Sequence, residues 1–89
     1  MSEEKTSLLE FPTEFPIKIM GEAQEGFMQA MVGIVSKHAP DYDPASIELR
    51  PSSGGRYLGL TCTITATSQG QLDALYRELS THALVKMVL

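Results

Sequence analysis

The sequence predicts an α+β domain of order β-α-β-β-α-β. This is the ferredoxin-like arrangement, a four-stranded antiparallel sheet with both helices on one face. Three observations predict it. Residues Arg56 to Thr67, RYLGLTCTITAT, alternate with a period of two: Leu58, Leu60, Cys62, Ile64 and Ala66 point one way and a row of threonines the other, as in a half-buried strand. Two stretches, Glu22 to His38 and Ser68 to Thr81, repeat apolar residues every three or four positions, as amphipathic helices do. The strand has a single apolar face, so both helices must share that side. Right-handed crossovers then set the spatial order as last, first, third, second strand.

The elements follow in chain order. Met1 to Ser7 reads as a disordered polar tail, and residues 8–89 as a single domain. Leu8, Leu9 and Phe11 form a short apolar segment that either laps onto the core edge or docks on a second subunit or partner. Phe15 to Met20 is a short strand with Phe15, Ile17 and Ile19 on one face and Pro16, Lys18 and Met20 on the other. Gly21 breaks it and begins the first helix, Glu22 to His38, with a stripe of Phe27, Met28, Met31, Val32, Ile34 and Val35. Glu22 and Glu25 in its first turn and Lys37 and His38 in its last suit the helix dipole. Gly26 and Gly33 weaken that helix by about 1 kcal/mol each relative to alanine, which points to close packing at one or the other. Ala39-Pro40 ends it. Ala45 to Arg50 is an edge strand bracketed by Pro44 and Pro51, with Ile47 and Leu49 inward. Ser52 to Gly55 turns it into the central strand as a hairpin. Ser68 and Gln71 make a capping box for the second helix, whose inner face is Leu72, Leu75, Tyr76 and Leu79. Ala83 to Leu89 is the last strand; apolar residues on both faces leave its register open.

Composition narrows the function. Eleven acidic against seven basic residues give a net charge of −4 and a pI near 5.0. That argues against nucleic acid and anionic membranes as partners. The sheet's solvent face would offer Lys18, Met20, Thr61, Thr63 and Thr65, with Tyr57 its only aromatic, a poor platform for stacking RNA bases. Cys62 is the only cysteine, so no intrachain disulfide can form. The acidic N-terminus lacks a signal-peptide pattern, and no apolar run nears the roughly 18 residues of a membrane span. A cytoplasmic protein is expected.

No catalytic constellation emerges. Cys62 falls on the inward face and reads as a small buried hydrophobe. His38 and His82 end the two helices and read as solvated caps without metal-ligand partners. Asp41-Tyr-Asp43 lacks the glycine and glutamate of a calcium loop. The expectation is a protein that is not an enzyme and needs no metal or cofactor. Arg50-Pro-Ser-Ser-Gly-Gly-Arg56 is either a hairpin turn or an anion-binding nest; it is not a P-loop.

LLEFPTEFPIKIMG, RPSSGGRY and YRELSTHALVKMVL, spread from Leu8 to Leu89, resemble the YbeD family of small bacterial proteins of unassigned function. The family's basic-Pro-Ser-Ser-x-Gly-x-Tyr pattern falls on Arg50, Pro51, Ser52, Ser53, Gly55 and Tyr57. The resemblance implies the same fold and a likeness to ACT-type regulatory domains, which bind small molecules such as amino acids. In those domains the ligand lies by the first strand-to-helix turn, at a dimer interface. That turn is Met20-Gly21-Glu22 here, where a glycine lets a ligand approach the backbone. Gly21, Glu22, Arg50, Ser52 and Ser53 are therefore the candidate ligand-binding residues. The function expected is a non-catalytic regulatory homodimer that senses a small ligand and modulates a partner enzyme. The alternative is a ligand-free protein–protein adaptor, which the resemblance links to lipoate metabolism.

Overall fold

The alternation of β-branched and apolar residues makes two long strands that pair along their whole length. In the computed structural model, which describes residues 10–89, β1 (Thr13–Glu22) and β3 (Tyr57–Ala66) are antiparallel from Thr13 opposite Ala66 to Glu22 opposite Tyr57. The tail expected over residues 1–7, and Leu8 and Leu9, lie outside the described residues. The other elements are α1 (Phe27–His38), a 3-10 turn (Pro44–Ser46), β2 (Glu48–Pro51), α2 (Gln69–Thr81) and β4 (Val85–Val88). The sheet order is β2-β3-β1-β4, antiparallel throughout, as the right-handed crossovers require.

One face of this sheet carries the core. Ile17 and Ile19 of β1 and Leu60, Cys62, Ile64 and Ala66 of β3 are buried against Phe27, Met31 and Val35 of α1 and Leu72, Leu75 and Leu79 of α2. Phe11 packs partly buried at the margin of the same cluster. Ser68 caps α2 as expected, its Oγ accepting from the Gln71 amide at 3.1 Å. Gln71 does more than complete that cap. Its Oε1 accepts from the Thr67 amide at 2.7 Å, and its Nε2 donates to the His38 carbonyl at 2.9 Å. The start of α2 is thus tied to the end of α1.

Several boundaries differ from the sequence reading, each for a local reason. Gly21 does not break β1, which continues to Glu22; α1 begins only at Phe27. Gly26 is the helix N-cap, at φ 88°, a left-handed conformation that glycine adopts without strain. Among the described residues a Cβ added at Gly26 or Gly33 would meet nothing within 4 Å, so neither marks close packing there. Gly21 does: the Phe27 ring lies 2.6 Å from where its Cβ would stand, and the Leu84 carbonyl is closer still. Ala45 and Ser46 belong to the 3-10 turn, not to β2, because Asp43 Oδ1 accepts from the Ala45 amide at 3.0 Å and caps that turn. Ile47 packs against the core, but Leu49, opposite Leu60, is 52% exposed at the sheet edge. The register of β4 is decided by a bulge: Met20 pairs with Met87 and Gly21 with Val85, so Lys86 is the extra residue. Val85 and Val88 then pack against the core while Met87 and Leu89 face out, which one unbroken alternation could not achieve.

Candidate functional site

The strand-to-helix turn after β1 opens into a polar pocket of about 360 Å³, lined by Glu22, Ala23, Gln24, Arg56 and Tyr57. Strand pairing builds it, since Glu22 ends β1 directly opposite Tyr57 at the start of β3. The Ala23 amide donates to the Arg56 carbonyl at 2.8 Å and extends that pairing one residue further. Glu22 is fixed from two sides. Gln24 Nε2 donates to its Oε1 at 2.8 Å, and Lys86 Nζ lies 3.3 Å from its Oε2. The Gln24 amide first, then Lys86, and more weakly Arg56, hold the Glu22 carboxyl below its ordinary range.

Of the residues expected to bind a ligand, only some come together. Glu22 lies in the pocket. Ser52 stands behind its Tyr57 wall, donating its amide to the Tyr57 carbonyl at 2.9 Å and accepting from the Tyr57 amide through Oγ at 3.0 Å. Gly21 is buried and faces the Phe27 ring, not the pocket. Ser53 lies on the exposed hairpin turn, and Arg50 lies opposite Gly59 on the open sheet face. Tyr57 and Gln24 are pocket residues that the sequence does not single out as ligand-binding: Tyr57 reads as a strand's entrance and Gln24 as part of a helix. Arg56, expected only as a flank of the hairpin turn or anion-binding nest, joins them in the pocket. The usable signal was the antiparallel register, which sets Glu22 beside Tyr57.

A second groove of about 360 Å³ crosses the open sheet face, lined among others by Lys18, Met20, Glu48, Arg50, Thr61 and Met87. Tyr57 stands at one end of this face opposite Glu22.

The histidines do not act as free caps. His38 Nε2 and Lys37 Nζ each lie 2.8 Å from a Glu78 carboxylate oxygen, joining α1 to α2. His82 accepts from the Leu84 amide through Nδ1 at 3.1 Å. Lys37 first, and then His38, hold the Glu78 carboxyl below its ordinary value of 4.5. A carboxyl depressed on folding adds stability above its unfolded pKa and loses it as pH falls through the folded one. Acid should therefore weaken the fold below about pH 4.5, and Glu78→Gln should flatten that decline. Urea midpoints measured from pH 7 down to pH 3 check this; parallel losses in both proteins would contradict it.

Cys62 is fully buried, and burial pushes its thiol up. Its polar neighbour is Tyr42, whose buried hydroxyl has no hydrogen-bond partner of good geometry among the described residues. Burial first, then the Cys62 thiol, push the Tyr42 phenol well up. Neither group is disposed to ionise as a nucleophile or base at neutral pH.

Among the described residues no helix is long and apolar enough to cross a membrane. Comparison with known proteins agrees with the geometry. A solved protein of H. pylori, HP0495, superposes with a TM-score of 0.74 at 7% identity, covering 91% of this chain and 85% of that one. The ACT domain from the GTP pyrophosphokinase of Chlorobium tepidum superposes with a TM-score of 0.64 at 23% identity, covering 85% of this chain and 84% of that domain. Both likenesses show the fold. In sequence, a UPF0250 protein of Nitrosomonas europaea is 54% identical over 89 residues, covering all of both chains. Another UPF0250 protein, from Leptothrix cholodnii, is 58% identical over 83 residues, covering 93% of this chain and 91% of that one. Residues 6–89 match the family model described as a protein of unknown function, DUF493. The chain belongs to the DUF493/UPF0250 family of small bacterial proteins, the YbeD-like family, built on an ACT-like ferredoxin fold.

Proposed function

We propose that this protein is a non-catalytic regulatory module of the cytoplasm, working as a homodimer that senses a small ligand at the end of β1. The observation that carries the reading is the pocket at the strand-to-helix turn, which brings Glu22, Gln24, Arg56 and Tyr57 into one lining. A carboxylate and a guanidinium lining one pocket suit a zwitterion: Glu22 receives an ammonium group in place of Lys86, and Arg56 pairs a carboxylate. Ser52 supports the wall through Tyr57. The ACT-like fold supports a regulatory role, and the buried, ion-disfavouring settings of Cys62 and Tyr42 support the absence of catalysis. Half-exposed Met20 and Met87 and the exposed Leu89 favour a second reading, an adaptor that holds another protein on the open sheet.

Native mass spectrometry of the protein purified gently from its own host tests the proposal. A small extra mass should accompany the protein and disappear in Arg56→Ala, which keeps the backbone contact to Ala23. Wild-type protein carrying no adduct would overturn the ligand reading.

A further inference from the structure

Two neighbouring rows cross the open face of the sheet, and each is the chemical complement of the other. Along the order β2-β3-β1-β4, one row reads Glu48, Thr61, Lys18, Leu89, and the next reads Arg50, Gly59, Met20, Met87. Leu89 enters the first row through paired backbone bonds with Lys18, at 3.1 and 2.8 Å. Among the described residues no element covers these rows, and Met20, Met87 and Leu89 are 43%, 51% and 67% exposed.

We propose that a second copy of this chain packs face to face on this surface. Consider a two-fold axis lying in the interface, at right angles to the strands and midway between the rows. It sets each row of one copy over the other row of its partner. Glu48 then faces Arg50 of the partner subunit, and Arg50 faces Glu48 of the partner subunit, giving two identical ion pairs at the β2 edges. At the β4 edges Leu89 meets Met87 of the partner subunit, again twice. In the centre the aliphatic stem of Lys18 lies over Met20 of the partner subunit, with its ammonium free to reach water. Thr61 falls opposite Gly59 of the partner subunit, where no side chain competes for space. A two-fold interface must be self-complementary in this way.

The size is that of a weak, transient dimer. At about 4.8 Å between strands and 3.4 Å per residue, about seven residues each of β1 and β3 with the four-residue β2 and β4 give roughly 360 Å² per copy. The total of about 700 Å² lies below the roughly 1,000 Å² of a stable interface, so the dimer forms at high protein concentration. Stacked sheets lie about 10 Å apart and cross at about 30°, within reach of Arg and Glu side chains from both sides.

This deepens the homodimer reading and is independent of whether the pocket at the end of β1 takes a ligand. Sedimentation velocity of the full chain over a concentration series tests it. The wild type should show a reversible, concentration-dependent dimer. Arg50→Glu or Glu48→Arg alone creates two like-charged contacts across the axis and should weaken dimerisation at least about tenfold. The double exchange, Glu48→Arg with Arg50→Glu, should restore it to within about threefold of wild type, because the rows remain complementary. Glu48 and Arg50 are exposed, so circular dichroism should report all three variants as folded. A wild type that stays monomeric would remove both this face and the homodimer. A dimer indifferent to Arg50→Glu, or one the double exchange fails to restore, would remove this face and leave the homodimer standing.

Discussion

Gly21→Ala is expected to destabilise the fold by about 2–3 kcal/mol, and Gly21→Val by more, as overpacking of a closed site does. The added Cβ would collide with the Leu84 carbonyl and stand 2.6 Å from two atoms of the Phe27 ring. One of these neighbours is backbone, fixed where the chain enters β4, and the other is a fully buried aromatic ring. Neither is the flexible end of a surface side chain, so the clash cannot be relieved cheaply. A domain of this size has a total stability of only about 4–12 kcal/mol. Urea denaturation should therefore show a large fall in midpoint for Gly21→Ala, with Gly21→Val largely unfolded. A shift within about 0.5 kcal/mol, the range of ordinary surface changes, would contradict this placement of Gly21.

Phe27→Ala is expected to cost about 3–5 kcal/mol, the range for deleting a buried aromatic ring. Phe27 is 0% exposed and opens α1, where its ring fills the space that Gly21 leaves empty. Removing it leaves a cavity between the end of β1 and the helix, bounded by backbone that cannot collapse. The two positions should also be coupled, since residues in contact do not act additively. Gly21→Ala should cost less in a Phe27→Leu background than in the wild type, because the ring contact is gone and only the Leu84 carbonyl remains. Strict additivity in that cycle would mean that the two residues do not share this space.

Much of the fold was legible because its long strands report a period of two and its helices a period near three and a half. Strand order, the inward set on β3, the Ser68 cap and the buried setting of Cys62 all followed from those patterns. The errors cluster where periodicity is silent. Gly21 read as a break because glycine usually is one; only a distant partner, Phe27, reveals why a side chain is excluded. The end of β4 was ambiguous because a bulge at Lys86 splits its alternation, and no local signal marks a bulge. His38 looked like a solvated cap because Glu78 lies 40 residues away in sequence. The pocket was half legible: Glu22 was named, but Arg56 and Tyr57 reach it only through the register of β1 with β3. The complementarity of the Glu48 and Arg50 rows likewise exists only once four strands are aligned.

The most direct test of ligand sensing is an amide-resolved NMR titration of the folded protein with a panel of free amino acids. At least one should move the Glu22, Ala23, Gln24, Arg56 and Tyr57 amides saturably, and Arg56→Ala should abolish the shifts. Spectra unchanged across the whole panel would contradict a zwitterion site at the end of β1.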